Sequence, residues 1–368
     1  MIRQVPEDNY RASRQYIGRV QTQEQYDQTH AFTDDFLQRH VDWLRQRQIE
    51  GYIRECHGDL HLNNVCWIDG KPLVFDCIEF NEAFRNIDTS YDIAFMFMEL
   101  CFRERPDLAY SFLNAYLETS GDYRGVALLP LYGSMRAYVR AKIDSWCMDD
   151  MHLSRAARRR AAQRARGYYR LAWEFTRPRQ GQIVAMSGLS GSGKTTLARY
   201  LAEQVQAIHI RSDAIRKQLG GIPLEQRGTA ELYTPQVTAR TYARLLELGI
   251  FLARQGQTVI LDAKYDRRAL RAALIKEAAS NGIPLHILGC EAPVPLLVER
   301  LASREADISD ATPDLVAAQV AADEPYLPEE EAYVVHIDTT ADWARQLSEL
   351  AHRMKTEVAG GIPANAPA

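Results

Sequence analysis

The spacing of apolar residues divides the chain into two parts. In the first, Phe32, Phe36, Leu37, Val41 and Leu44 recur at helical intervals and predict one amphipathic helix over residues 22–48. Further helices are predicted over 88–103, 108–119, 129–148 and 154–175. Between them, the apolar run from Val65, the turn Asp69-Gly70-Lys71-Pro72 and the run from Leu73 to Asp76 read as a hairpin. The pattern changes after the turn-rich stretch 177–181. Short aliphatic runs at 183–186, 207–210, 259–261, 285–288 and 333–337 then each precede a helical pattern. Those helices are expected over 194–206, from Ala214, and over 267–281, 295–303 and 341–354. Strands alternating with helices make βαβ units around a parallel sheet. The expected fold class is therefore α/β, with a mostly helical domain over 1–178 and a three-layer αβα domain over 181–356. The tail 357–368, rich in Ala, Gly and Pro, is expected to be disordered.

Composition narrows the class. The chain has 368 residues, 46% hydrophobic and 25% charged, which suits two globular domains. No apolar run approaches the roughly 20 residues of a membrane-spanning helix, and the first residues show no secretory leader. The six cysteines are scattered and form no C-x-x-C pair, so neither a disulfide framework nor a zinc site is expected. A cytoplasmic protein without a membrane partner is the resulting expectation. The formal net charge of −4 gives no bias toward nucleic acid, and no nucleic-acid partner is expected. The arginines at 155, 158, 159, 160, 164, 166 and 170 read as a solvated helix face, with Tyr168 and Tyr169 as packing residues.

The strongest chemical signal is Gly188-Leu-Ser190-Gly191-Ser192-Gly193-Lys194-Thr195-Thr196, between a predicted strand and a predicted helix. Glycines at 188, 191 and 193 let backbone N–H groups turn around phosphate oxygens. Lys194 can reach the β- and γ-phosphates of ATP, and the Thr195 hydroxyl can ligate Mg²⁺. Asp213 follows the second strand, where a carboxylate faces the ligand crevice and can take a proton from an acceptor hydroxyl; Arg216 stands one turn on. Asp262 ends the third strand as a second Mg²⁺ group. Arg300 and Arg304, four apart, are expected on one helix face leading into 305–310, a pair that can close over the γ-phosphate as a lid and stabilise charge in transfer.

These motifs, with Ser212-Asp213-x-x-Arg216-Lys217, Asp262-Ala263 and Ser309-Asp310-Ala311, resemble the small P-loop kinases of the gluconate-kinase and zeta-toxin-like group, some known as AAA family ATPases. The resemblance covers nearly all of 181–356. It implies that Asp213 acts as base or substrate anchor and that lid arginines contact ATP. Lys264-Tyr265 departs from the group, whose members carry smaller or apolar residues there.

The first half holds a second phosphotransfer pattern: His57-Gly-Asp59, Asn64 five residues later, and Asp76 after the next strand. It resembles the catalytic loop of the aminoglycoside phosphotransferase family, a protein-kinase-like C-lobe, and the pair of halves resembles bacterial proteins that fuse this domain to a P-loop kinase. The resemblance implies Asp59 as base and Asn64 and Asp76 as metal ligands. The residues before His57 contain no lysine and read as helix. Two alternatives stay open, a shortened kinase or a non-catalytic scaffold with a vestigial site.

The function expected is an ATP- and Mg²⁺-dependent kinase transferring the γ-phosphoryl group to a hydroxyl of a small molecule through the second domain. The alternative is a nucleotide-responsive regulatory module without kinase activity. Neither the acceptor nor the oligomeric state follows from the sequence.

Overall fold

The computed structural model describes residues 4–304 and 307–360, and the chain divides into two compact units. One comprises the residues up to Ala109 with Gly125–Pro178; the other comprises Tyr110–Arg124 with the residues from Arg179 onward. The units depart from the expected cut between 178 and 181 at one place: residues 110–124 pack with the second half.

The first unit is mostly helical, as expected. Thr22 and Gln25 form a reciprocal capping box that starts the helix Gln23–Arg39. The single helix expected over 22–48 is interrupted at His40, whose φ of −113° and ψ of 18° leave the helical region; a second helix, Val41–Ile49, follows. Strands β1 (Ile53–Glu55) and β4 (Asn86–Asp88) pair antiparallel, and β2 (Val65–Ile68) and β3 (Lys71–Val74) form the expected hairpin. Helices Leu129–Asp149 and Arg155–Phe175 pack around Tyr10, Phe95, Met98, Tyr138, Tyr168 and Tyr169. Alanines at 137, 141, 161, 165 and 172 are buried and let the two helices approach closely. The opposite face of Arg155–Phe175 keeps Arg155, Arg159, Arg160, Arg166 and Arg170 in solvent.

The second unit is built on a five-stranded, wholly parallel sheet of order β6-β7-β5-β8-β9. The strands are β5 (Gln182–Ser187), β6 (Ile208–Arg211), β7 (Thr258–Asp262), β8 (Leu285–Glu291) and β9 (Val334–Asp338). Every residue of β5 is buried, which requires helices on both faces. Helices Lys194–Val205 and Trp343–Gly360 share one apolar layer with Val184, Met186, Ile260 and Leu288. Helix Pro235–Arg254 packs on β5 and β7. Gly249 permits the approach, since a Cβ there would stand 3.1 Å from Leu261 Cδ1. This helix was not predicted, although Thr234-Pro235 is a strong start signal and the Thr234 side chain caps it. The tail expected to be disordered from 357 is helical as far as Gly360; residues 361–368 lie outside the described residues. Among the described residues no helix is long and apolar enough to cross a membrane.

Candidate phosphate-binding and phosphotransfer site

The central strand β5 ends at Ser187, and the chain turns through a loop into helix Lys194–Val205. Gly188, Gly191 and Gly193 have φ of 130°, 83° and 89°, a region costly for any residue with a Cβ. Space imposes the same choice: a Cβ on Gly191 would lie 2.6 Å from the Leu297 carbonyl oxygen. Lys194 Nζ donates to the carbonyls of Gly188 (2.8 Å) and Leu189 (2.7 Å), which fixes it across the loop. Burial pulls its pKa down, with Asp262 opposing. Ser190 donates its N–H to Gln319 and accepts from the same amide, whereas the buried Ser192 Oγ has no hydrogen-bond partner.

A cleft of about 1160 Å³ opens beside this loop. Its walls bring together every residue expected in the second-domain site except Gly188 and Ser192, which lie in the loop itself. Asp262 closes β7 and is buried; its Oδ2 lies 3.1 Å from His209 Nε2 and 3.9 Å from Arg211 Nε. Burial alone would raise its carboxyl, but His209, Arg211 and Lys194 together hold it below the usual aspartate value. Both contacts fall on Oδ2, so Oδ1 is the oxygen available to a cation.

Asp213 lies in the first turn of helix Ser212–Gly220, whose N-cap is Arg211, so it is not a capping residue. Desolvation raises its pKa; Arg211, Arg216 and a hydrogen bond with Ser309 only partly oppose this. A carboxylate pushed upward at a strand end is suited to accept a proton. Arg216 is committed elsewhere in part: Nη1 donates to Leu232 O (2.7 Å) and Thr238 Oγ1 (3.1 Å), and so anchors the segment Ala230–Tyr233 on the cleft wall.

One expectation is corrected. Arg300 and Arg304 do not share a helix face, because helix Val294–Ala302 ends before Arg304. Arg300 donates to Thr339 Oγ1 (2.9 Å), Thr339 O (3.0 Å) and Gly191 O (3.4 Å), pinning its guanidinium against the phosphate loop. Arg304 lines the cleft from beyond the helix, 4.0 Å from Asp307. Of the segment 305–310 that follows the pair, Glu305 and Ala306 lie outside the described residues. Asp310 accepts from Gly228 N (2.9 Å) and Tyr233 Oη (2.6 Å), joining this segment to the opposite wall.

The sequence reading missed the role of Lys264 and Tyr265. Gly188 N donates to Lys264 O (2.9 Å), and Ser187 Oγ donates to Tyr265 O (3.2 Å). The pair braces the start of the phosphate loop by its backbone, with Tyr265 at a φ of 43° and its ring buried against Tyr242. Arg271, buried, donates to the same Tyr265 carbonyl and to Glu330.

In the first unit, Asn64 links Asp59 to the backbone of Asp76. Asn64 Nδ2 donates to Asp59 O (3.1 Å), Asp59 Oδ2 (3.3 Å) and Asp76 O (3.5 Å). His61, 3.3 Å away, holds the Asp59 carboxyl below its usual value. Asp92 accepts from the N–H groups of His57 and Gly58 and so fixes the loop, and Asp76 has a φ of 62°.

Comparison with known proteins agrees with both halves. Residues 4–129 match the phosphotransferase enzyme family and residues 183–325 match an AAA domain family. An uncharacterized protein of Mycobacterium tuberculosis is 31% identical over 292 residues, 78% of this chain and 57% of that protein. The chain thus spans little more than half the length of that relative. A cytidylate kinase of Pyrococcus horikoshii is 29% identical over 132 residues, 35% of this chain and 60% of that one. A gluconokinase structure from Sinorhizobium meliloti shares 24% identity, with a TM-score of 0.35, covering 49% of this chain and 99% of its own. The APS kinase of M. tuberculosis gives 21%, 0.37, 48% and 99%. Over residues 4–129 the chain is thus similar to the phosphotransferase enzyme family, and over residues 183–325 to an AAA domain family.

Proposed function

We propose that the second unit transfers the γ-phosphoryl group of ATP to a hydroxyl of a small molecule. The observation that carries this reading is the single cleft shared by the phosphate loop, Asp213, Asp262, Arg300 and Arg304. A phosphate grip alone would serve binding; a burial-raised carboxylate facing the same cleft adds a proton acceptor.

The loop amides and Lys194 hold the phosphates in place. Asp213 accepts the hydroxyl proton as the acceptor oxygen bonds to phosphorus. The bond from phosphorus to the β-phosphate oxygen breaks, and ADP leaves with that electron pair. Arg300 and Arg304 face the charge on the transferring group. Thr195 and Asp262 are the residues that would hold Mg²⁺, and the open Asp262 Oδ1 fits that role; bound there, the ion neutralises phosphate charge. The Asp59, Asn64 and Asp76 trio is assigned no turnover of its own. The expected setting is the cytoplasm, with a small-molecule acceptor as partner.

The test is a single-turnover incubation of the protein with γ-labelled ATP and a metabolite extract. Label on a small molecule supports the kinase. Label released only as phosphate, or no release, favours a nucleotide-responsive switch instead.

A further inference from the structure

Residues 110–124 lie within the stretch matched to the phosphotransferase family, yet they belong to the compact unit of the P-loop site. Within that unit they run beside the edge strand of its sheet, carried on helix Pro106–Ser120. β6 is the last strand on one side of the sheet, so its outer N–H and C=O groups need partners. Asn114 supplies them: its Nδ2 donates to Ala207 O and its Oδ1 accepts from His209 N, both at 2.9 Å. One turn further, Glu118 O accepts from Gln218 Nε2 (2.9 Å), and Glu118 Oε1 accepts from Arg211 Nη1 (3.3 Å).

Arg211 is 3% exposed and stands among three carboxylates from distant parts of the chain. Nη1 meets Glu118, Nη2 bonds Asp307, and Nε lies 3.9 Å from Asp262 Oδ2 without any hydrogen-bond partner. Two of these carboxylates matter to the cleft. Asp262 ends the strand beside the phosphate loop. Asp307 holds Ser309 N (3.1 Å), and Ser309 in turn bonds Asp213. A guanidinium has a rigid fork, so fixing one edge fixes the other two. Glu118 is the contact that does not itself line the cleft.

We propose that Glu118 and Arg211 are positioning residues of the P-loop site, with Glu118 setting how far the Arg211 guanidinium is drawn toward Asp262 and Asp307. The inference rests on the metal-holding role read for Asp262. Remove the Glu118 charge, and Arg211 has only Asp262 and Asp307 left to pair with. It then screens Asp262 more fully, and the affinity for Mg²⁺ falls. Nucleotide binding without metal is unaffected, because the loop amides and Lys194 are untouched.

Calorimetric titration of the full chain with ADP, at a series of Mg²⁺ concentrations and in EDTA, separates the two effects. Glu118→Gln keeps the shape and the hydrogen-bond acceptor and removes the charge. It is expected to raise the Mg²⁺ needed for half-maximal tightening of ADP binding roughly threefold or more, leaving the EDTA affinity unchanged. Glu118→Asp, which restores the charge, recovers part of the loss. Asn114→Ala removes the edge clamp instead; it lowers Tm and leaves the Mg²⁺ requirement as in the wild type. The proposal is overturned if Glu118→Gln binds as the wild type does, or if it weakens ADP equally with and without Mg²⁺. Wild-type protein that binds no ADP at all overturns the site assignment as well, which distinguishes the two failures.

Discussion

His209 Nε2, within β6, and Asp262 Oδ2, at the end of the neighbouring β7, are 3.1 Å apart and both residues are buried. The imidazole contact falls on Oδ2 and holds the carboxylate of a residue that lines the cleft. Partners of this kind tune ligand affinity without touching the ligand. Replacing His209 by Ala is expected to weaken Mg²⁺-dependent nucleotide binding about 10- to 100-fold. Fluorescence titration with an ADP analogue, with and without Mg²⁺, gives the measurement; an unchanged Mg²⁺ dependence refutes the role.

Asp213 gives a pH prediction. Burial raises its pKa, and only the ionised carboxylate accepts a proton. Turnover therefore rises as pH increases through that raised pKa and is lost as pH falls below it. The acid limb lies above the ordinary aspartate value of about 3.9. Asp213→Asn is expected to be slow at every pH, without this limb. A wild-type profile with its limb at or below the ordinary value contradicts the assignment.

His336 lies between Glu291 (2.7 Å) and Glu331 (3.2 Å), and the hydrogen bond to Glu291 raises its pKa against partial burial. A raised folded pKa contributes stability that is fully present below the unfolded value near 6.5 and is lost as pH rises through the folded value. His336→Gln should therefore lower Tm at a pH of about 5.5 and have little effect at about 8.5. Equal losses at both pH values would falsify the ionic explanation.

In the first unit, Arg47 makes a two-pronged bond to Asp88, Nε to Oδ2 at 2.7 Å and Nη2 to Oδ1 at 2.8 Å, with both residues buried. Arg47→Met leaves that carboxylate buried without its cation. The expected loss is about 3–5 kcal/mol in denaturant unfolding. ADP binding by the second unit is expected to persist, so the two readouts separate stability from the site.

The parts of this structure that could be read from the sequence are those governed by local periodicity. The five strands, the hairpin at Asp69-Gly70 and the phosphate loop all announce themselves within a few residues. So did the placement of Asp262 at the end of β7 and of Asp213 just after the end of β6. What stayed hidden depends on contacts between residues far apart. Nothing near Asn114 or Glu118 indicates that they pair with residues 207–211. Arg211 looked like an ordinary strand end until Glu118, Asp262 and Asp307 surrounded it. Lys264 and Tyr265 contribute backbone carbonyls, which carry no side-chain signature. The helical spacing of Arg300 and Arg304 failed because the helix ends at Ala302.

The central claim, that the second unit moves the γ-phosphoryl group, is tested most directly at Lys194, whose ammonium lies across the phosphate loop. Wild-type protein and Lys194→Ala are incubated with γ-labelled ATP and the same metabolite extract, and labelled products are separated. A labelled small molecule is expected from the wild type, with its near-complete loss in the variant. Labelling by Lys194→Ala at the wild-type rate would contradict it.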